Sequence, residues 1–192
     1  MPKCAVSLAD TPVPTAGSGG TILGIDPGLQ RTGYAVLSPG RREGDLRVIE
    51  AGVIRLPRER SLAERLVELE CSLQALLDGH RPATLVCEEL YAHYKHPRTA
   101  ILMGHARGVI LLAAARAGLE VIPVSATNVK KLLTGSGHAS KRQIQLAVTA
   151  TLKLPVVPEP NDVADALAIA LCGLRLRTAQ EAAEVAQRRA RS

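Results

Sequence analysis

The stretch that most narrows what this chain can become is ATLVCEEL, residues 83–90, which is apolar on both faces until Glu88 and Glu89. A strand buried on both faces lies inside a sheet that is covered on both sides, so helices have to form the two outer layers. The flanking sequence supplies them. SLAERLVELECSLQALLDG, upstream, repeats Leu62, Leu66, Leu69, Leu73 and Leu76 at the helical period, with a Ser61/Glu64 capping box and Gly79 as its stop. RTAILMGHARGVILLAAARAG, downstream, is apolar nearly all round and therefore needs burial against more than its own sheet.

The other elements fall into order around this centre. TILGID, TGYAVLS and LRVIEAGVIRL read as three antiparallel strands joined by Gly- and Pro-containing turns, and LEVIPV as a fifth strand. ATNVKKLLTGSGHASKRQIQLAVTATLKL and NDVADALAIALCGLRLR read as helices, interrupted by a Gly-rich loop at 135–137 and a Pro-rich loop at 155–160. The expected fold is an α/β sandwich with a five-stranded mixed sheet, in which the first and fourth strands lie side by side. Residues 1–20, rich in Pro, Ser and Gly at their end, are expected to form a flexible tail, residues 21–177 the domain, and 178–192 a helical, basic tail. No signal peptide or membrane-length apolar run is readable, which points to the cytoplasm. The four Cys residues show no CxxC spacing and three of them lie inside apolar patterns, so buried thiols are expected rather than disulfides or zinc ligands.

Charge is distributed unevenly. Between Leu90 and Pro158 nine Lys or Arg residues face a single acid, Glu120, whereas the rest of the chain holds fifteen basic and seventeen acidic residues. A local cationic excess of this kind suits a polyanion, because each Lys or Arg set against a phosphate releases counterions. Nucleic acid is the expected partner. The acids suggest what is done to it. Asp26 ends the first strand before a Pro-Gly turn, where an Asp is ordinarily just a turn residue. If the first and fourth strands pair in parallel about 4.8 Å apart, Asp26 meets Glu88 or Glu89 at their shared end. Asp162 and Asp165, spaced i and i+3, share a helix face, although Asp162 as N-cap with Asp165 at N3 would explain them equally well. Clustered carboxylates repel unless a cation intervenes, and an oxygen-only donor set favours Mg²⁺ or Mn²⁺. Two such ions about 4 Å apart suit phosphodiester hydrolysis.

Four motifs, GIDPGLQRTGYAV, EELY, NVKKLLTGSGHASK and NDVADALAIA, resemble in order and spacing the RuvC family of Holliday-junction resolvases, over about Thr21 to Arg177. The resemblance implies a ribonuclease H-like fold and an endodeoxyribonuclease that resolves four-way DNA junctions by paired symmetrical cuts. It implies a metal-binding tetrad of Asp26, Glu88, Asp162 and Asp165, with two Mg²⁺ ions replaceable by Mn²⁺ and Asp26 bridging them. Glu88 is preferred to Glu89 on the resemblance, since strand parity does not decide between two buried faces. Lys130 and Lys141 match basic residues at the scissile phosphate, and Tyr91 matches an aromatic that stacks on an unpaired base. Lys131, Arg142, Lys95, Arg98 and Arg107 are further candidates for DNA-backbone contacts. A homodimer through the apolar second helix, helped by Gly104 and Gly108, and a partnership with the RuvA and RuvB branch-migration proteins are implied as well.

Other classes fit less well. The ATPases related to actin, Hsp70 and sugar kinases share the phosphate-binding turn but need two such domains, and YqgF-type proteins lack the long basic segment. GSGHASK lacks the Gly before Lys that a Walker A loop requires. A non-cleaving DNA-binding module of the same fold is the remaining alternative, and the presence of all four acids argues against it.

Overall fold

The computed structural model describes residues 20–40, 45–90 and 97–190. Alternating apolar side chains set the first three strands, β1 (Ile22–Asp26), β2 (Arg31–Pro39) and β3 (Leu46–Arg55). Helix α1 (Leu62–His80) crosses to β4 (Thr84–Glu88), and α2 (Pro97–Arg116) crosses to β5 (Glu120–Val124). Three helices complete the chain: α3 (Ala126–Thr134), α4 (Lys141–Thr151) and α5 (Asn161–Ala190). The sheet order is β3-β2-β1-β4-β5, with antiparallel pairing among the first three strands and parallel pairing of β1 with β4 and of β4 with β5. The mixed sheet and its central β1–β4 contact match the expectation.

Strand parity separates two cores. Leu23, Ile25, Leu85 and Cys87 face one way and pack with Leu69, Leu73 and Ile110 from α1 and α2. Ile22 and Val86 face the other way and pack with Val129, Ile144, Val148 and the apolar side of α5. Burying side chains such as Leu73 and Leu171 completely removes about 2 kcal/mol worth of apolar surface each from water, so the two layers hold the sheet between them.

Several local features depart from the sequence reading. α1 opens on the expected Ser61/Glu64 capping box, but Gly79 does not end it. The helix runs to His80, and Arg81 takes the left-handed position with its N–H bonded to the Leu77 carbonyl. Asp162 is not an N-cap: α5 already begins at Asn161, which puts Asp162 inside the first helical turn. Residues 178–190, expected to be helical, are the continuation of α5. The stretch Arg98–Arg116, with mean hydropathy 1.2, has the length and composition to cross a membrane, contrary to the expected lack of such a run. Its inner face, with Ala106, Ile110, Ala113 and Ala114, lies in the α1-side core, while Ile101 and Leu112 are exposed. The all-round apolarity of α2 is thus only half used within one chain.

Candidate active site

Asp26 is placed by the strand before it and the turn after it. In the turn, the Thr32 hydroxyl donates to the Gly28 carbonyl at 2.5 Å, and Thr32 is fully buried. A Cβ on Gly28 would lie 2.1 Å from the Arg31 carbonyl oxygen, so the turn closes this tightly only around glycine. The parallel register pairs Ile25 with Cys87, and one further step sets Asp26 beside Glu88. Because Ile22 and Val86 face the α5 layer, parity turns Asp26 and Glu88 to that same side. Glu89 has the opposite parity and lines a groove with Leu90, Gly104, Arg107, Gly108 and Leu111 of the α2 layer. Parity, which left the two glutamates open in the sequence, sets Glu88 on the side of Asp26 and Glu89 on the other once the layers are known.

α5 brings the other two carboxylates. It docks on β1 and β2 through glycines: a Cβ on Gly24 would lie 2.6 Å from the Ala170 nitrogen, and one on Gly33 would lie 2.2 Å from the Asp162 carbonyl oxygen. Gly33 is also the β-partner of Asp26. The first turn of α5 therefore rests directly beside Asp26, with Asp162 and Asp165 at its edge. Two capped helices supply the cations. Ser125 accepts from the Asn128 N–H to start α3, which carries Lys130, and Ser140 forms a capping box with Gln143 to start α4 at Lys141.

The electrostatics record how closely these groups are set. Burial pushes the Asp26 carboxyl up to about 7, with Glu88, Asp165 and Asp162 adding to the rise and Lys141 opposing it. Glu88 is raised by burial and by Asp165, against Lys130 and Lys141. Asp165 is raised by burial and by Asp162, again with both lysines opposing. The Lys141 ammonium stands 3.8 Å from Asp165 Oδ2, and the Arg31 Nε stands 3.5 Å from Asp162 Oδ2.

The structure thus brings together Asp26, Glu88, Asp162, Asp165, Lys130 and Lys141. Lys131, Arg142 and Arg98 are exposed on α3, α4 and α2. Arg107 turns inward instead, donating from Nε to the Glu88 carbonyl at 3.2 Å, which ties α2 to the end of β4. Tyr91 and Lys95 lie outside the described residues. Sequence reasoning missed Arg31, because its place beside Asp162 depends on a contact between β2 and α5 that no spacing encodes. A ready-made chelate is also missing: among the described residues no three His, Cys, Asp or Glu side chains stand close enough to hold one ion. Like charges without a counter-ion repel, and the two α5 acids are paired with Arg31 and Lys141 instead. The donor chemistry nevertheless fits a hard divalent cation, since every acid that presses on Asp26 offers oxygen alone and each gains from a nearby positive charge.

A mixed five-stranded sheet between helical layers, with acids at the ends of its central parallel strands, defines a ribonuclease H-like nuclease. A family model described as Crossover junction endodeoxyribonuclease RuvC matches residues 22–173, and the chain belongs to that family. A relative of that name from Rhodopirellula baltica is 56% identical over 158 residues, covering 82% of this chain and 87% of the relative. One from Roseiflexus sp. is 43% identical over 150 residues, covering 78% and 88%. The Thermus thermophilus RuvC structure has a TM-score of 0.75 at 31% identity and covers 83% of this chain and 96% of its own. The same bacterium's RuvC in complex with a Holliday junction substrate has a TM-score of 0.74 at the same identity and coverage. The yeast mitochondrial Holliday junction resolvase Ydc2, 13% identical with a TM-score of 0.55 over 84% of this chain and 82% of its own, shares the fold.

Proposed function

We propose that this chain is a structure-selective endonuclease that resolves four-way DNA junctions by metal-dependent phosphodiester hydrolysis, acting in the cytoplasm during recombination and repair. The observation that carries the reading is Asp26, held at the end of β1 under the combined charge of Glu88, Asp162 and Asp165, with Lys141 beside them. Asp26, Glu88, Asp162 and Asp165 would hold Mg²⁺, with Mn²⁺ as a substitute. When bound, a pair of such ions supplies an activated water and steadies the leaving oxygen.

The chain's own residues do the rest. Rigid strand ends fix Asp26 and Glu88, and the glycine-docked α5 holds Asp162 and Asp165, so the anionic set is organised before substrate arrives. Lys130 and Lys141, which offset the carboxylate charge in the free protein, are positioned to bind the scissile phosphate and to stabilise the charge that develops on its oxygens. Lys131, Arg142 and Arg98, exposed on three different helices, extend a cationic track for the duplex arms. Tyr91 and Lys95, just beyond β4, serve base stacking and backbone contact in this reading.

Two cuts on opposed strands call for two sites related by a two-fold axis, and a homodimer supplies them. The outer face of α2 is the proposed contact, since Ile101 and Leu112 are exposed there and a Cβ on Gly104 or Gly108 would meet nothing within 4 Å. RuvA and RuvB are the proposed branch-migration partners. The test uses a synthetic four-way junction with Mg²⁺. Wild-type protein is expected to give paired symmetrical nicks, and Asp26→Asn to bind the junction while cutting falls below detection. Equal cutting by both proteins would remove Asp26 from the chemistry.

A further inference from the structure

The α5 acids do not wait as bare anions: one cation beside them is Arg31, which lies within the GIDPGLQRTGYAV motif but has no role in the sequence reading. Arg31 is the first residue of β2, immediately after the turn that follows Asp26. It shares strand parity with Gly33, the position on which the Asp162 backbone rests, so both residues lie on the α5 side of the sheet. The Arg31 Nε reaches to 3.5 Å from Asp162 Oδ2. The two side chains differ in exposure, the arginine being 55% accessible and the aspartate 20%. Asp162 is therefore the more buried partner, and the arginine the more exposed one.

We infer that Arg31 is a positioning residue that serves as the stand-in counter-ion of Asp162 in the metal-free protein, and that a divalent cation must displace it to gain Asp162 as a ligand. This rests on the metal-dependent reading of the site and adds to it a competitor built into the chain. A guanidinium cannot lose its proton in a protein, so Arg31 keeps its charge as a competitor throughout the working range of pH. Its strength is that of a partly exposed ion pair, which limits the effect to about two- to fivefold in ion affinity at low salt. The same exposure leaves the arginine free to swing outward once displaced. The Lys141–Asp165 contact is the counterpart on the next helical turn, but at 3.8 Å, with the lysine 73% exposed, it is the looser of the two.

The experiment measures Mn²⁺ binding to the DNA-free, full-length protein by electron paramagnetic resonance, for wild type, Arg31→Gln, Arg31→Lys, Asp162→Asn and the double variant Arg31→Gln/Asp162→Asn. Arg31→Gln is expected to bind Mn²⁺ about two- to fivefold more tightly, and raised salt is expected to narrow the difference. Arg31→Lys, which keeps the charge, should stay close to wild type. In the Asp162→Asn background, Arg31→Gln should change nothing, because the pair is already broken. Thermal melting of each variant in chelator confirms that it is folded. Unchanged or weaker Mn²⁺ binding by folded Arg31→Gln would overturn the inference, as would an equal gain in both backgrounds. If wild-type protein bound no Mn²⁺ at all, the metal reading would fall first and this inference with it. If wild-type and Asp162→Asn proteins differed in binding but wild type and Arg31→Gln did not, only the role of Arg31 would be lost.

Discussion

Asp26 is a residue whose surroundings are set against its charge. With its carboxyl pushed up to about 7, folding favours the protonated form, and the corresponding stability is complete below about pH 4 and lost as pH rises through 7. Glu88 and Asp165 are shifted in the same direction and steepen the loss. Three pH units on one group correspond to roughly 4 kcal/mol. The melting temperature in chelator is therefore expected to fall between pH 4 and 7, and Asp26→Asn to flatten much of that slope. Added Mg²⁺ should restore stability at pH 7 to the wild type more than to the variant. A flat profile in chelator would show that the acids do not crowd one another in solution.

At the scale of elements, the site depends on how closely a helix can approach a sheet. α5 reaches β1 and β2 only where Gly24 and Gly33 leave out a side chain, and the atoms an added Cβ would strike include backbone atoms of Asp162, Ala166 and Ala170. Backbone cannot rotate away as a side chain does, so relief requires moving the helix. Gly33→Ala is expected to cost about 1–3 kcal/mol in chemical denaturation, and to reduce cleavage more than junction binding because it lifts the turn that carries Asp162 and Asp165. A variant that cut normally would mean that the helix position is not critical. The capping serines act at the same scale, since Ser125 and Ser140 determine where α3 and α4 begin and hence where Lys130 and Lys141 stand. Ser140→Ala should cost about 1 kcal/mol, read by the same denaturation experiment.

For the whole molecule, the unbalanced surface is α2. Its inner face is buried with α1 and the sheet, yet Ile101 remains 60% exposed and Leu112 49% exposed, eleven residues apart and on the same side of the helix. Placing a charge at each, as in Ile101→Asp/Leu112→Glu, should leave the protomer fold intact, because neither side chain is in the core. Sedimentation is expected to shift from dimer to monomer at micromolar concentration, and paired junction nicks to give way to slow, unpaired ones. A monomeric wild type would refute the dimer, and a dimeric double variant would place the interface elsewhere. Arg107, bonded to the Glu88 carbonyl from this helix, would carry any disturbance of α2 directly to the end of β4.

The sequence by itself determined the elements and their order, because apolar periodicity, capping serines and turn residues act over a few positions and are written locally. It also determined the family, through four short motifs whose spacing survives without knowledge of contacts. Where α1 stops was less legible, since a left-handed Arg81 serves as well as a glycine when its N–H finds the Leu77 carbonyl. Although the resemblance preferred Glu88 to Glu89, only the tertiary structure put Glu88 on the side of Asp26, since which face of β4 meets α5 is a property of the layers and not of the strand. It alone set Arg31 against Asp162 and turned Arg107 inward, because both arrangements join residues far apart in the chain, and their geometry follows from how closely helices and sheet can pack.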